Sequence, residues 1–138
     1  MESDNKAFVR RWFAEVWNKG NLDALQEMLD ENAIVHNLPV TNPDSKCGPA
    51  EFAPFVQTFR GALPDIQFTV EAVISEGNMA AARCSVRGTH TGDSLGIAAS
   101  HKPVQITGMT MVRLENGKIV EGWNNFDIAS LYEQIKSE

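Results

Sequence analysis

The chain has 138 residues, of which 43% are hydrophobic and 22% are charged. This composition is typical of a folded domain and excludes a disordered chain. The formal net charge is −6 and no Lys/Arg-rich run occurs, so nucleic acids and anionic membranes are not expected as partners.

The N-terminal residues MESDNKAFVRRW are polar and lack the apolar core of a signal peptide. No apolar run approaches the length of a membrane span. Cys47 and Cys84 have no CxxC spacing, so neither a zinc motif nor a disulfide framework is indicated. The sequence contains no repeat or linker, and it predicts one cytoplasmic domain over residues 1–138.

The first predicted element is a helix with one apolar face. Ser3 is a candidate N-cap, and Gly20 lies where a left-handed C-cap is expected. Asn21 can cap a short second helix. The apolar face repeats at helical spacing and consists of Phe8, Val9, Trp12, Phe13, Val16 and Trp17.

A short strand at residues 33–36 and a polar loop up to Gly48 follow these helices. A third helix carries Phe52, Phe55, Val56 and Phe59, and Pro54 predicts that it kinks there or begins just before. His36 could line the mouth of a pocket between the helices and a sheet. A lone His in such a strand is more often a structural hydrogen-bonding residue.

From Asp65 onward the pattern changes to strands that alternate apolar and polar residues. Asn116-Gly117 is a strong hairpin signal between the last two strands. A short helix from Ile128 to Ile135 ends the chain. Helices followed by hairpin-linked strands predict an α+β fold with a mainly antiparallel sheet.

The predicted hairpin gives Asp127 a candidate chemical role. Pairing centred on Asn116-Gly117 places Thr110 opposite Trp123, and Ile106 opposite Asp127. Strand alternation would then put Trp123, Asn125 and Asp127 on one face with apolar groups, where lost hydration raises the pKa of a carboxyl. Spacing alone slightly favours the alternative, in which Asp127 only caps the terminal helix.

Three segments resemble the SnoaL-like polyketide cyclase family. GKIVEGWNNFDIASLYEQI is similar to the C-terminal signature of the family, with Asp127 at the position of its Asp and Gln134 near its Gln. AAARCSVRGTHTG places Arg83 and His90 at its recurrent Arg and His, and LPDIQF is similar to its entry into the first long strand.

The resemblance implies a cone-shaped α+β fold in which helices cover a curved antiparallel sheet and enclose an apolar pocket. It also implies intramolecular aldol-type ring closure of an aromatic ester without metal or cofactor, with Asp127 as the acid–base residue. This chain departs from the family after GTHTG, where DSLGIAASH replaces the usual Pro-Pro segment, and Gln134-Ile135-Lys136 replaces Gln-Leu-Gly.

The other candidate catalytic residues are Arg83 and His90, either of which could polarise a substrate oxygen. Alternation places them on opposite faces of their strand unless a bulge intervenes, for example at Gly88. The three His residues, at positions 36, 90 and 101, have no metal-ligand spacing, so no metal site is predicted. The predicted substrate-binding residues are Trp123, Asn125, Trp12, Phe59, His36 and Met109.

The leading hypothesis is therefore a cofactor-independent cyclase of the lyase or isomerase type, acting on an aromatic or apolar carbonyl compound. The alternatives are a non-catalytic ligand-binding domain of the same fold, or an isomerase- or dehydratase-like enzyme. The only Tyr, Tyr132, lies in the terminal helix and counts against a ketosteroid-isomerase-like site. A homodimer that covers the outer face of the sheet is also expected.

Overall fold

The computed structural model describes residues 4–37 and 46–136. The predicted Ser3 cap and most of the predicted polar loop lie outside the described residues. The helices are α1 (Asp4–Arg11), a π-helical continuation (Trp12–Asn18), α2 (Leu22–Met28), α3 (Pro49–Ala62) and α4 (Ile128–Lys136). The strands are β1 (Leu29–His36), β2 (Gln67–Glu76), β3 (Met79–Thr89), β4 (Pro103–Glu115) and β5 (Lys118–Phe126).

The five strands form one curved sheet in the order β1-β5-β4-β3-β2. All neighbouring strands are antiparallel except β1 and β5, which run parallel. The inward residues of β3 and β4 are buried in a single core with the helices, whereas alternate residues face outward. The fold is thus the predicted cone-shaped α+β arrangement, with a concave face beneath the helices and an open sheet.

Local sequence signals set several element ends. Gly20 adopts a φ of 66°, as expected for a left-handed helix end. The side chain of Asn21 accepts hydrogen bonds from the Asp23 and Ala24 amides, both at 3.1 Å, and so caps α2 as predicted. Helix α3 begins at Pro49 and runs through Pro54, so the predicted start just before Pro54 is wrong.

The first helix differs from a simple α-helix. Its second half, Trp12–Asn18, is π-helical, with wider turns closed by i→i+5 hydrogen bonds. Trp12, Phe13, Val16 and Trp17 are all buried there. These four residues belong to the apolar face that helical spacing predicts; the π-helical turns, by contrast, were not predicted.

The hairpin between β4 and β5 contains a bulge that the sequence analysis missed. Glu115 pairs with Lys118 as predicted, but the register shifts by one residue at Val120. Thr110 therefore lies opposite Asn124, not Trp123. Because side chains alternate along a strand, one extra residue reverses the face of every later side chain, and the predicted face of Trp123 and Asp127 is wrong.

Two side-chain amides tie helices to strand edges. Asn18 accepts from the Phe68 amide at 2.7 Å and donates to the Phe68 carbonyl at 3.0 Å. Gln134 on α4 makes the same paired contact with Gln105 on β4, at 2.8 Å in both directions. Each amide pairs with a backbone N–H and C=O of a strand residue that no neighbouring strand pairs on that side. The two contacts attach the first helix to β2 and α4 to β4.

Within the described ranges, no helix is both long enough and apolar enough to cross a membrane.

Candidate functional site

A cavity of about 230 Å³ lies between the helices and the concave face of the sheet. Helix α3, the π-helical segment, the inward residues of β2–β5 and α4 all contribute to its wall. The wall is mainly apolar, and its aromatic members are Phe13, Trp17, Phe52, Phe55, Phe59, Phe68 and Phe126. Such concave apolar sites are the usual form of small-molecule binding sites.

Trp17 is the centre of the aromatic wall. Its ring centroid lies 5.0 Å from that of Phe68 and 5.7 Å from that of Phe55. Phe126 meets Phe68 edge to face at 5.8 Å, and Gly108 leaves the space that the Phe126 ring occupies, since a Cβ at Gly108 would overlap it. These tilted and edge contacts are the favoured aromatic geometries, so the wall is a fixed surface for a flat ligand.

The polar residues of the described cavity wall are three asparagines: Asn37, Asn124 and Asn125. Asn124 is held by two contacts. Thr110 Oγ1 lies 2.9 Å from Asn124 Oδ1, and Asn124 Nδ2 donates to the His36 carbonyl at 3.4 Å. Asn37 has a φ of 65°, which Asn tolerates better than most residues. Neutral carboxamides therefore supply the polar contacts of this wall.

Asp127 is exposed and does not line this cavity. Its Oδ1 accepts from the Ser130 amide at 3.1 Å, and its carbonyl accepts from the Leu131 amide at 3.2 Å. These are the contacts of an N-cap for α4. The carboxylate instead borders a shallow depression with Arg83 and Met109 on the outer side of the sheet. The structure thus places Asp127 as the helix cap that spacing alone favoured.

Arg83 and His90 lie on opposite faces of the sheet, as alternation predicted. The β3–β4 register continues without a shift from Met79 to Thr89, so no bulge at Gly88 brings them together. Arg83 points outward, and its Nη1 donates to Glu71 Oε1 at 2.7 Å.

His90 is fully buried, and its Nδ1 accepts from the Ser100 amide at 3.1 Å. It holds the loop that connects β3 to β4, and it does not line the cavity. The two candidate polarising groups are therefore not brought to one site.

His36 and Trp123 also face outward, where their rings stack 5.4 Å apart at an interplanar angle of 14°. His36 Nε2 lies 2.8 Å from Glu121 Oε2. This hydrogen bond, reinforced by Arg113, holds the pKa of Glu121 below its ordinary value. His36 is thus a hydrogen-bonded residue of the outer face. The ring of His36 does not line the cavity; its backbone carbonyl accepts a hydrogen bond from Asn124, which does.

Some of the other predicted substrate-binding residues line the cavity, and the rest lie elsewhere in the fold. Phe59 lines the cavity, and Asn125 lines both the cavity and the outer depression. Trp12 is buried in the core against Phe52 without lining the cavity. Met109 lies on the outer face and is 54% exposed. Of the nine predicted site residues, only Phe59 and Asn125 therefore contribute to the cavity wall.

The two thiols are core groups. Burial raises the pKa of Cys47 to about 11 and that of Cys84 to about 12, so both stay protonated at neutral pH and are poor nucleophiles. Within residues 4–37 and 46–136, no three His, Cys, Asp or Glu side chains gather where they could hold a metal ion.

Sequence reasoning missed Asn124 as the polar contact of the cavity. The signal that could have found it is the adjacent apolar pair Ile119-Val120, which interrupts strict alternation at the start of β5. A bulge at that point moves Gly122, Asn124 and Phe126 to the concave face.

Comparison with known proteins identifies the family of this fold. The profile of the SnoaL-like polyketide cyclase family matches residues 7–135, whereas the comparison with curated proteins gave no match. A proposed polyketide cyclase from Acidithiobacillus ferrooxidans is 22% identical, with a TM-score of 0.87, over 99% of this chain and 96% of its own.

Two further solved structures are similar over most of the chain. IdmH from Streptomyces antibioticus, a proposed polyketide cyclase, is 25% identical with a TM-score of 0.82, covering 96% of this chain and 99% of its own. A proposed polyketide cyclase from Bacillus cereus is 26% identical with a TM-score of 0.77, covering 93% and 77%.

Proposed function

The chain belongs to the SnoaL-like polyketide cyclase family, and we propose that its cavity binds a neutral aromatic or apolar carbonyl compound. The observation that carries this proposal is the wall itself, in which seven aromatic rings line the cavity together with three Asn carboxamides, among them that of Asn124. Rings offer stacking area to a flat ligand. The amide offers an N–H group to a carbonyl oxygen.

Charge supports a neutral ligand. None of the described residues that line the cavity carries a formal charge. A carboxylate or phosphate bound there would lose its hydration without gaining an ion pair, at an effective cost of several kcal/mol. A neutral ketone or ester loses much less hydration free energy when it enters the cavity. A cavity of about 230 Å³ lies just below the ~300–1,000 Å³ usual for ligand pockets, which favours a compact ligand.

Ring closure is the second candidate function, and family membership favours it. In an aldol-type closure, a base removes a proton from the carbon beside one carbonyl. The resulting carbanion attacks the second carbonyl carbon, and the new alkoxide takes up a proton. A base must come within hydrogen-bond reach of the proton it removes. Asp127 could do so only by reaching past Asn125 and Phe126, which border both the cavity and the outer depression.

The cavity can still assist closure without a base of its own. Holding both carbonyls close together removes much of the entropic barrier. An Asn124 N–H aimed at the developing oxyanion stabilises its charge. We therefore propose that this chain acts chiefly by binding and orienting its ligand. We also propose that residues 1–138 form a single domain. A role for Asp127 in catalysis stays a hypothesis that substitution decides.

Binding is tested by calorimetry with 1-tetralone and other neutral aromatic ketones, and with 1-naphthoate as a matched anion. We expect the ketones to bind and the carboxylate to bind more weakly by about tenfold or more. Tryptophan fluorescence should change on binding, since Trp17 lines the cavity. Failure of every neutral ketone to bind, or tighter binding of the anion, would contradict the proposal.

Substitution of Asp127 distinguishes its structural role as the N-cap of α4 from a catalytic role as the base. Asn is as good an N-cap as Asp, so Asp127→Asn should leave the unfolding free energy almost unchanged, whereas Asp127→Ala should lower it by about 1 kcal/mol. Both variants should bind ketones as the wild type does. Thermal unfolding and calorimetry measure these effects. A folded Asp127→Asn variant that loses ring-closing turnover on a diketone which the wild type converts would restore Asp127 as the base.

We also propose that two copies associate through the outer face of the sheet. One cross-strand row on that face runs through His36, Trp123, Met111, Ala81 and Ile74. Ile74 is 71% exposed and Met111 is 39% exposed. Neighbouring rows carry both signs of charge, in the pairs Arg83–Glu71 and Arg113–Glu121. An exposed apolar row flanked by opposite charges suits a self-complementary contact.

Met111→Asp should therefore convert a dimer to a monomer in light scattering, because an unpaired carboxylate would be buried at the contact. Leu22→Asp is the matched control, since Leu22 on α2 is also exposed, at 40%, but lies away from the outer face. The control should stay dimeric. A wild-type protein that is monomeric at high micromolar concentration would rule out the dimer.

A further inference from the structure

Thr110 stands out on the concave face because it is one of the two buried polar residues in the described part of the chain. It lies in the middle of β4, directly opposite Asn124 on β5. Its Oγ1 is 2.9 Å from Asn124 Oδ1 and 3.2 Å from the Trp123 carbonyl oxygen. A hydroxyl has a single hydrogen to donate, and the shorter of its two contacts is the one to Asn124, the side chain that lines the cavity.

The orientation of the Asn124 amide follows from its two neighbours. The His36 carbonyl can only accept a hydrogen bond, so the group that faces it at 3.4 Å must be the NH₂ of Asn124. The amide oxygen is then left facing Thr110, which can donate to it. In the flipped amide, two oxygens would face each other at His36. The contacts to His36 and Thr110 thus favour the same orientation.

We propose that Thr110 is a specificity-determining residue, which holds the Asn124 amide so that the cavity selects a ligand oxygen that only accepts hydrogen bonds. This inference rests on the proposed function as a ligand-binding pocket. With Asn124 Oδ1 turned toward the Thr110 hydroxyl and one hydrogen of its NH₂ directed at the His36 carbonyl, the group that the amide offers to the ligand is its second N–H. A ketone oxygen satisfies that donor and brings no hydrogen of its own.

An alcohol of the same shape is disfavoured. Its oxygen can accept from Asn124, but its own O–H then needs an acceptor, and the Asn124 oxygen is turned toward Thr110. The other acceptor side chains of the described wall are Asn37 and Asn125, which the same hydroxyl would have to reach while its oxygen stays on Asn124. Leaving a buried donor without a partner costs about 1–3 kcal/mol. Without the Thr110 hydroxyl, the amide keeps the 3.4 Å contact to His36 but loses the donor that orients its oxygen. Asn124 Oδ1 can then turn to accept from the alcohol. In a variant without the Thr110 hydroxyl, the alcohol should therefore bind more tightly, and the preference for the ketone should disappear.

The test compares three ligands that share one bicyclic skeleton: 1-tetralone, 1-tetralol and tetralin. Calorimetry on the full chain gives their affinities for the wild type, Thr110→Val and Thr110→Ser. We expect the wild type to favour the ketone over the alcohol by about fivefold or more. Thr110→Val should bring that ratio close to one with tetralin affinity unchanged, and Thr110→Ser should keep the wild-type ratio.

The outcomes separate this inference from the proposed function. If the wild type binds none of the three ligands, the pocket proposal itself fails. If it binds all three without preferring the ketone, or if Thr110→Val keeps the preference, the pocket stands and the role of Thr110 is overturned. Thr110→Ala, which also lacks the hydroxyl, takes the place of Thr110→Val if circular dichroism shows that the valine variant is unfolded.

Discussion

Trp17→Ala should lower the unfolding free energy by about 3–5 kcal/mol and weaken ketone binding by about tenfold or more. Trp17 is only 7% exposed, and its ring contacts Phe52, Phe55, Phe59 and Phe68. Its removal would leave a large void where the helices meet the sheet. The same ring lines the cavity, so stability and binding should fall together.

Trp12→Ala is the matched control for this variant. Trp12 is also 7% exposed and belongs to the same π-helical segment, but it does not line the cavity. We expect a similar loss of stability in denaturant unfolding with a much smaller loss of ketone affinity, measured well below the midpoint of both transitions. Equal losses of affinity would show that binding follows general stability, and would argue against Trp17 as part of the binding wall.

The fold could be predicted from sequence because its signals are local and mutually consistent. The apolar face of the first helix, the Asn21 cap and the Asn116-Gly117 turn each determine a short piece of backbone. Their order then leaves few arrangements of helices on a sheet. Element bounds were predicted less well: the strand expected at residues 33–36 is only the second half of β1, Leu29–His36.

The site could not be predicted equally well, because a face assignment depends on counting residues along a strand. The bulge at Val120 adds one residue and places Asn124, in place of Trp123, opposite the buried Thr110. The family resemblance drew attention to Asp127, while the polar contact of the wall is an amide three residues earlier. Arg83 and His90 were assigned to opposite faces correctly because β3 has no shift against β4.

It was still harder to predict which of the two Trp side chains of the first helix lines the cavity. Trp12 and Trp17 look equivalent in the sequence, at the same apolar spacing. The first helix becomes π-helical at Trp12–Asn18; within this segment Trp17 lines the cavity, whereas Trp12 packs against Phe52 without lining it. Such a turn depends on tertiary packing rather than on local propensity, so no pattern in the first helix predicts it.

Asn124→Asp should have the largest effect on ligand recognition for the smallest change in shape. The substitution replaces the NH₂ that faces the His36 carbonyl at 3.4 Å with a carboxylate oxygen. Loss of hydration in the cavity and repulsion from that carbonyl both disfavour the charged form, so the pKa of the new carboxyl should lie above its usual ~4. Thr110 can still donate to it, which moderates the shift.

The sign of the pH effect follows from linkage. A carboxyl whose pKa is higher in the folded state is most destabilising when it is ionised in both states. The variant should therefore lose about 1–3 kcal/mol of unfolding free energy relative to the wild type near pH 8. The loss should shrink as the pH falls through the folded pKa. Ketone affinity should follow the same course, because the protonated acid regains a hydrogen to donate.

Asn125→Asp makes the same chemical change on the neighbouring residue, which borders the cavity but is exposed, so the unfolding free energy of this variant should show little of this pH dependence. Denaturant unfolding and ketone calorimetry between pH 5 and pH 8 measure both variants. If Asn124→Asp behaved like Asn125→Asp, position 124 would be as well hydrated as the protein surface. The cavity would then lack the enclosed donor on which recognition of a neutral carbonyl depends. A pH-dependent loss confined to position 124 would instead locate the polar contact of the ligand at the one amide that β4 and β1 hold in place.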